Sequence, residues 1–345
     1  MAPPTYDAVA EAPTQANSRA TSAPQPNKVL AASRALERCN RTAGPRAGQC
    51  EIIRLGDQRL RTAAQLREAA GSKARKLFLW RYRSKSATVY LAGSIHMLKA
   101  TLYPLNSQFQ RAFDAADTLV LEIDPRQLDP ATASQAMFSR GLLPADTTLN
   151  AELSETARAQ LAARAGEYGI ELSNLQRFSP MLAAQTLTVT SMAALGYPSQ
   201  SGVEQYFLQQ LGSRRVLELE SLEQQLDLLF SVPLPVQVEM LESTLAQLDD
   251  IQHWLEAMVI AWLSGNASEL DELMQSQMGE SDGAIAFGKR LLDERNTRMA
   301  DQIAGFLESS GTFFVLVGAA HYPGPGGILA ALDARGFKGQ QLLAD

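Results

Sequence analysis

Tyr90-Leu91-Ala92-Gly93-Ser94-Ile95-His96 decides how this chain is read. An apolar, β-prone run breaks at a glycine and ends three residues later on a histidine. Phe314-Val315-Leu316-Val317-Gly318-Ala319-Ala320-His321 repeats the pattern, so two of the three histidines in the chain close the same Gly-x-x-His motif. Glycine at a strand end lets the backbone turn sharply. Ligands of α/β folds gather at the carboxyl ends of strands, and histidine is both the commonest metal ligand and the usual general base near neutral pH. The two motifs together predict an α/β fold with its scarce imidazoles at strand ends.

Working outward, Leu77 to Tyr82 and Thr88 to Ala92 read as a strand pair around the turn Ser84-Lys85-Ser86. Thr118-Leu119-Val120-Leu121-Glu122-Ile123-Asp124 is an apolar strand interrupted by a carboxylate and ended by Pro125. Arg215-Val216-Leu217-Glu218-Leu219-Glu220 has the same character, and Thr312 to Val317 feeds the second histidine. Apolar residues at three- and four-residue spacing predict helices through most of 127–212 and 222–309. Ile328 to Ala334 reads as a helix and Gly339 to Leu343 as an edge strand. Each half pairs a Gly-x-x-His strand with a Glu-bearing strand. The predicted fold is α/β, a central mixed sheet with pseudo-symmetric halves and a large helical insertion, over residues 76–345. Residues 1–35, rich in Ala, Pro, Thr, Ser, Gln and Asn, read as a disordered tail. Residues 36–75 read as a small helical or loop segment.

With 345 residues, 46% of them hydrophobic and 20% charged, the composition is that of a soluble globular protein. A net charge of -6 argues against a nucleic-acid partner, which needs a concentrated basic face. The most basic stretch, Arg54 to Arg83, has scattered charges and reads as a solvated helix and strand edge. No apolar run approaches the ~20 residues of a membrane span, so no integral membrane segment is expected. The first thirty residues lack the apolar middle of a secretory signal. Cys39 and Cys50 are the two cysteines, separated by ten residues that include Gly44, Pro45 and Gly48. They read either as a disulfide-closed loop of an oxidising, extracytoplasmic compartment or as two unrelated thiols. Neither has a histidine nearby in sequence, which disfavours a zinc knuckle.

His96, His321 and Glu122 make the inventory of a three-ligand metal site with open positions. A carboxylate in a buried strand needs a partner, and a metal or an arginine supplies one. The metal-free alternative makes one histidine a general base oriented by Glu122; the bland alternative makes both histidines hydrogen-bonded strand-end residues. Asp124, two residues beyond Glu122, reads as a turn former or a supporting group, and Glu218 and Glu220 share the second Glu strand. Arg295-Asn296 lies on a helix, where Arg295 either faces solvent, neutralises Glu122 or holds a substrate anion. His253 sits on an amphipathic helix and is not expected in a site. No Gly-x-Ser-x-Gly elbow, Walker loop or His-Glu-x-x-His occurs. A serine nucleophile at Ser94 would need several unsupported partners.

From about Leu77 to the C-terminus the chain resembles the TraB/GumN family, which takes in the TIKI Wnt-inactivating proteases and pheromone-shutdown proteins. The stretches that carry the resemblance are Tyr90 to Met97, Leu119 to Asp124 with Glu122, Gly202-Val203-Glu204-Gln205-Tyr206-Phe207, Leu217 to Gln225 with Glu220, Glu294-Arg295-Asn296, and Val317 to His321 followed by Gly324-Pro325-Gly326-Gly327. The resemblance implies a fold distantly related to erythromycin esterase-like and haem-binding ChaN-like proteins. It implies that His96, Glu122 and His321 converge, with Arg295 and Asn296 nearby. The TIKI branch implies a protease dependent on a divalent metal, manganese or cobalt, with zinc considered beside them. The bacterial members usually carry a secretion signal, which implies a periplasmic location. The resulting expectation is a metal-dependent hydrolase of a peptide or small-molecule substrate, with the metal on His96, His321 and Glu122, Arg295 steadying an oxyanion or carboxylate, and Glu220 as candidate general base. The alternatives are a metal-free esterase-type hydrolase with a histidine base, and a non-catalytic module that binds a peptide or haem.

Overall fold

The structure, a computed structural model, describes residues 3–13, 15–44, 49–71, 76–276 and 281–345. Its centre is a six-stranded mixed sheet built from β5 (Lys76–Arg83), β6 (Ala87–Ser94), β7 (Thr118–Leu121), β8 (Arg215–Glu218), β9 (Gly311–Gly318) and β10 (Gly339–Leu343), in the order β10-β5-β6-β9-β7-β8. The run β6-β9-β7-β8 is parallel, and β5 and β10 close one side antiparallel. Phe313 to Val317 are all buried, as are Leu119 to Leu121. Continuous apolar runs of this kind belong to parallel strands covered on both faces. The two Gly-x-x-His strands are neighbours in matched register, with Ser94 opposite Gly318. The two Glu strands are neighbours of each other on one side of that pair. All four therefore deliver the residues after their carboxyl ends to the same rim of the sheet.

Neither motif glycine has a positive φ, so the expectation that they serve a sharp turn is corrected. They are there for space. A Cβ on Gly93 would stand 2.3 Å from the Phe78 ring, and the Gly93 carbonyl accepts a 2.8 Å bond from the Trp262 indole.

The insertion is helical, as its periodicity predicts. Between β7 and β8 lie Pro130–Gly141, Glu155–Tyr168, Pro180–Ala194 and Val203–Leu208. Between β8 and β9 lie Leu222–Phe230, Leu234–Gln247, Ile251–Leu263, Ala267–Gln275, Asp282–Lys289 and Arg295–Glu308. The last is entered through a π-helical turn, Arg290–Glu294. No helix of the described residues is long and apolar enough to cross a membrane.

The disordered tail expected over residues 1–35 is a correction. β1 (Ala8–Ala12), β2 (Gln15–Thr21), β3 (Glu51–Leu55) and β4 (Gln58–Arg59) form an antiparallel sheet ordered β2-β1-β3-β4. The helix Lys28–Ala43 packs across it, its first turn capped by Asn27, whose side chain accepts from the Leu30 amide. Ala8, Ala10 and Ala12 alternate towards a helix face made of Ala31, Ala32, Ala35 and Cys39. Small residues on both sides allow close approach, and a composition poor in large apolar side chains hides such a core. Residues 36–75 likewise hold β3 and β4 as well as the helix Ala63–Ala69; 72–75 lie outside the described residues. Cys39 and Cys50 form the disulfide, tying the helix to the start of β3.

Candidate functional site

The rim at the ends of β6, β9, β7 and β8 brings His96, His321, Glu122 and Glu220 together, and Gly318 marks the centre. A Cβ there would lie 3.1 Å from His96 Nε2, 3.1 Å from Glu122 Oε1 and 3.6 Å from His321 Cδ2. The three side chains thus share the space over one backbone position. A cleft of about 350 Å³ opens from it, with His96, Glu122 and Glu204 at its floor and Ile123, Leu128 and Gln205 on its walls.

His321 is buried, and its Nδ1 stands 2.6 Å from Asn296 Oδ1. Asn296 Nδ2 donates to the Gly326 carbonyl at 2.9 Å, which fixes the amide and makes its oxygen the acceptor. The Nδ1 proton is therefore assigned to that bond, and the Nε2 lone pair is left free, 3.9 Å from Glu122 Oε2. Burial lowers the His321 pKa to about 4 against the pull of Glu122, so the ring is neutral at neutral pH.

His96 is held from the other side by a residue that sequence reasoning quoted but gave no role. Glu204 Oε1 lies 2.7 Å from His96 Nδ1 and accepts a hydrogen bond from the Ser94 hydroxyl. Glu204 reaches it because the Val203 amide bonds the Ile95 carbonyl at 3.1 Å, and a Cβ on Gly202 would strike the His96 carbonyl at 2.4 Å. The Glu204 charge chiefly raises the His96 pKa, to about 9, with Glu122 adding to it and partial desolvation at the cleft and Arg295 opposing, although the ring keeps 64% of its side-chain surface exposed. Burial pushes the Glu204 carboxyl up, but His96 and the Ser94 hydroxyl outweigh it and its pKa is lowered. The available signal was a Gly-x-Glu at a helix start. What it lacked was any hint of which strand end it met.

Glu122 sits one residue past β7. Its Oε1 accepts from the Gly318 amide at 2.6 Å, and its Oε2 accepts from Arg295 Nη2 at 2.9 Å. Burial pushes its pKa up, but His321, His96, Arg295 and the Gly318 amide outweigh that and lower it to about 2. Arg295 also makes a fork on Glu220, with Nε at 3.1 and 2.9 Å and Nη2 at 2.7 Å, and donates Nη1 to the Leu291 carbonyl. Most of its donors are engaged, and of the roles considered for Arg295 the geometry matches the neutralising of Glu122. Glu220, the candidate general base, is the buried counter-charge of that guanidinium and is also bonded by Gln225 at 3.3 Å. The π-helical turn before Arg295 sets consecutive residues to work: Arg295 on the glutamates, Asn296 on His321.

Asp124 is a turn former, accepting from the Arg126 amide and guanidinium, and its own amide donates to Glu218 at 2.5 Å. His253 lies exposed on its helix, 4.0 Å from Asp250 and outside the cleft.

The donor chemistry fits a divalent cation. It offers two imidazole Nε2 atoms, each backed at Nδ1 by an oxygen acceptor, and one carboxylate, an arrangement that orients ligating histidines in metal sites. Among the described residues, however, no three His, Cys, Asp or Glu side chains stand together as a formed metal cluster. The close Arg295 contact on Glu122 occupies an oxygen that a cation would take.

The comparisons agree with the residues that carry the resemblance. The family described as TraB/PrgY/gumN matches residues 78–341. The uncharacterised protein YbaP of Escherichia coli (strain K12) is 27% identical over 248 residues, 69% of this chain and 85% of that protein. YbaP of Shigella flexneri matches to the same extent. An uncharacterised protein of Treponema pallidum (strain Nichols) is 24% identical over 271 residues, covering 74% of this chain and 80% of its own. No solved structure gives a significant match.

Proposed function

The chain belongs to the TraB/PrgY/gumN family, and from that membership and the rim geometry we propose that it is a divalent-metal-dependent hydrolase of peptide or amide bonds. One observation carries the reading: both imidazoles have Nδ1 facing an oxygen acceptor, and His96 Nε2 and the His321 ring stand with Glu122 around Gly318. His96, His321 and Glu122 would hold the ion, with manganese, cobalt and zinc as candidates. Such an ion polarises a carbonyl and lowers the pKa of a bound water. The chain's own residues supply the rest. Asn296 keeps the His321 proton on Nδ1, and Glu204 does the same for His96 once its Nε2 is deprotonated. Arg295 offsets the charge of Glu122 and Glu220. Ile123 and Leu128 line the cleft with apolar surface, and Gln205 and Gln225 offer amides to a peptide backbone.

The test is metal content of the untagged protein after loading with manganese, cobalt or zinc, beside His96→Ala/His321→Ala. Near-stoichiometric metal in the parent and none in the variant, with chelator-sensitive peptide hydrolysis, is the expected result. Metal in neither protein overturns it.

The His96–Glu204 pair favours a second reading, a metal-free esterase-type hydrolase in which His96, oriented by Glu204, moves the proton. It predicts ester hydrolysis that survives chelation and is lost in His96→Ala. The Cys39–Cys50 disulfide supports an extracytoplasmic, periplasmic location, tested by osmotic-shock fractionation and thiol labelling of the native host.

A further inference from the structure

Charge is divided unevenly along this chain. Residues 1–71 carry ten Lys and Arg against six Asp and Glu, a net +4, so residues 72–345 carry a net -10. The family match begins at residue 78, which leaves the N-terminal sheet and its helix outside it. In the fold, part of this excess collects in one place. Arg19 of β2, Arg54 of β3, Arg59 of β4 and Arg61 just beyond line a groove of about 600 Å³.

The groove gathers four arginines with different degrees of pairing. Arg54 is engaged by Asp7 at 2.5 Å and by the Gly56 carbonyl at 2.6 Å, and Arg61 reaches Glu256 at 3.5 Å. Among the described residues the guanidiniums of Arg19 and Arg59 have no hydrogen-bond or ion-pair partner. Glu11 stands opposite Arg19 in the β1–β2 register and is the one carboxylate lining the groove; no ion pair joins it to the four arginines. Elsewhere Arg34, Arg111, Arg126, Arg140, Arg164 and Arg335 meet carboxylates, while Arg38, Arg83, Arg158 and Arg215 stand without a partner among the described residues but do not share one groove with other arginines. Two exposed guanidiniums without a protein partner, set in one groove beside two paired ones, make it a local region of positive potential.

We propose that this groove binds an anion carrying two or more phosphate groups. Arginine forks match phosphate oxygens in pairs, and the two guanidiniums without a protein partner, Arg19 and Arg59, offer a fork each to two phosphate groups of one ligand. Thr62 and Gln65 add a hydroxyl and an amide for uncharged oxygens. Among the described residues the lining has no aromatic side chain on which a base or haem would stack, and Ile53 and Leu60 are its large apolar residues, too little to seat an acyl chain. The ligand is therefore a soluble oligophosphate or the phosphate headgroups of a lipid surface. The disulfide between Cys39 and Cys50 ties the helix packed on the sheet to the start of β3. This assignment is independent of the hydrolase reading.

The experiment uses the full chain and two probes: tripolyphosphate by calorimetry, and phosphatidylcholine vesicles containing phosphatidylglycerol by co-sedimentation. Arg19→Gln/Arg59→Gln is compared with Arg34→Gln/Arg41→Gln, which removes the same charge from the exposed face of the helix Lys28–Ala43. Salt-sensitive binding of either probe by the parent, weakened about tenfold or more in the first variant and retained in the second, supports the proposal. Tripolyphosphate binding alone identifies a soluble ligand, and vesicle binding alone a headgroup surface. Binding of neither probe, or equal loss in both variants, overturns it.

Discussion

Gly93 and Gly318 hold the same place in their two motifs, yet an added methyl group meets different things. At Gly93 it collides with the Phe78 ring in the core. At Gly318 it enters the space between His96, Glu122 and His321. Gly93→Ala is expected to destabilise the protein by about 1–3 kcal/mol through overpacking, read by urea denaturation. Gly318→Ala is expected to leave the melting temperature nearly unchanged while abolishing metal uptake; normal metal content in that variant would show that the donors do not use this space. The His96–Glu204 pair gives a pH signature in chelated protein. The raised His96 pKa means that the pair's contribution to stability is complete below the ordinary histidine value and is lost as pH rises through about 9. Glu204→Gln should therefore lower stability at pH 6 and leave it unchanged above pH 10, and should move the His96 NMR titration down towards the ordinary value. A midpoint that stays near about 9 in the variant would assign the shift to something other than Glu204.

At the scale of elements, two anchors hold the strand ends and the loop that carry the site. Arg295 enters from the π-helical turn and clamps the ends of β7 and β8 through Glu122 and Glu220. Removing it leaves Glu220 with only the exposed Arg298, 3.6 Å away, and Glu122 with only the histidines as counter-charge. Arg295→Met is expected to cost about 3–5 kcal/mol, and Arg295→Lys to recover little of it, because an ammonium cannot make the fork. Equal stability of the lysine variant and the parent would refute the fork as the source. The loop after His96 is anchored by Lys99, which is buried and donates to the Arg61 carbonyl at 2.8 Å, with Glu51 3.6 Å away and the Tyr197 ring 5.2 Å from its ammonium. Burial lowers its pKa, with Glu51 and Glu256 opposing. This lysine bridges the N-terminal unit and the first Gly-x-x-His loop.

Over the whole molecule, the N-terminal sheet and the α/β body differ in charge, in how they are stabilised and in relation to the family match. The disulfide closes a loop of sequence separation 11, for which loop-closure entropy gives about 3 kcal/mol. Reduction, or Cys39→Ser/Cys50→Ser, should release hydrogen-exchange protection in residues 8–55 first and leave the central sheet protected. Simultaneous loss in both would show that the two unfold as one unit. Much of the architecture was legible in the chain. The strand pair around Ser84-Lys85-Ser86, the parallel run ending in His321, the helical insertion and the edge strand at the C-terminus each follow from period and turn chemistry that act within a few residues. The N-terminal sheet was not legible, because its core is alanine against alanine and its composition is that of a tail.

The sequence by itself determined that two histidines end two apolar strands, that Glu122 interrupts a third, and that two cysteines lie close enough to join. These are local facts, set by neighbours along the chain. The tertiary structure alone decided what each side chain meets: Glu204 behind His96, Asn296 behind His321, Arg295 spent on two glutamates, and the unpaired arginines gathered over one small sheet. Those contacts depend on strand order and crossovers that bring together residues from 25 to 173 positions apart, and no periodicity within a segment encodes them.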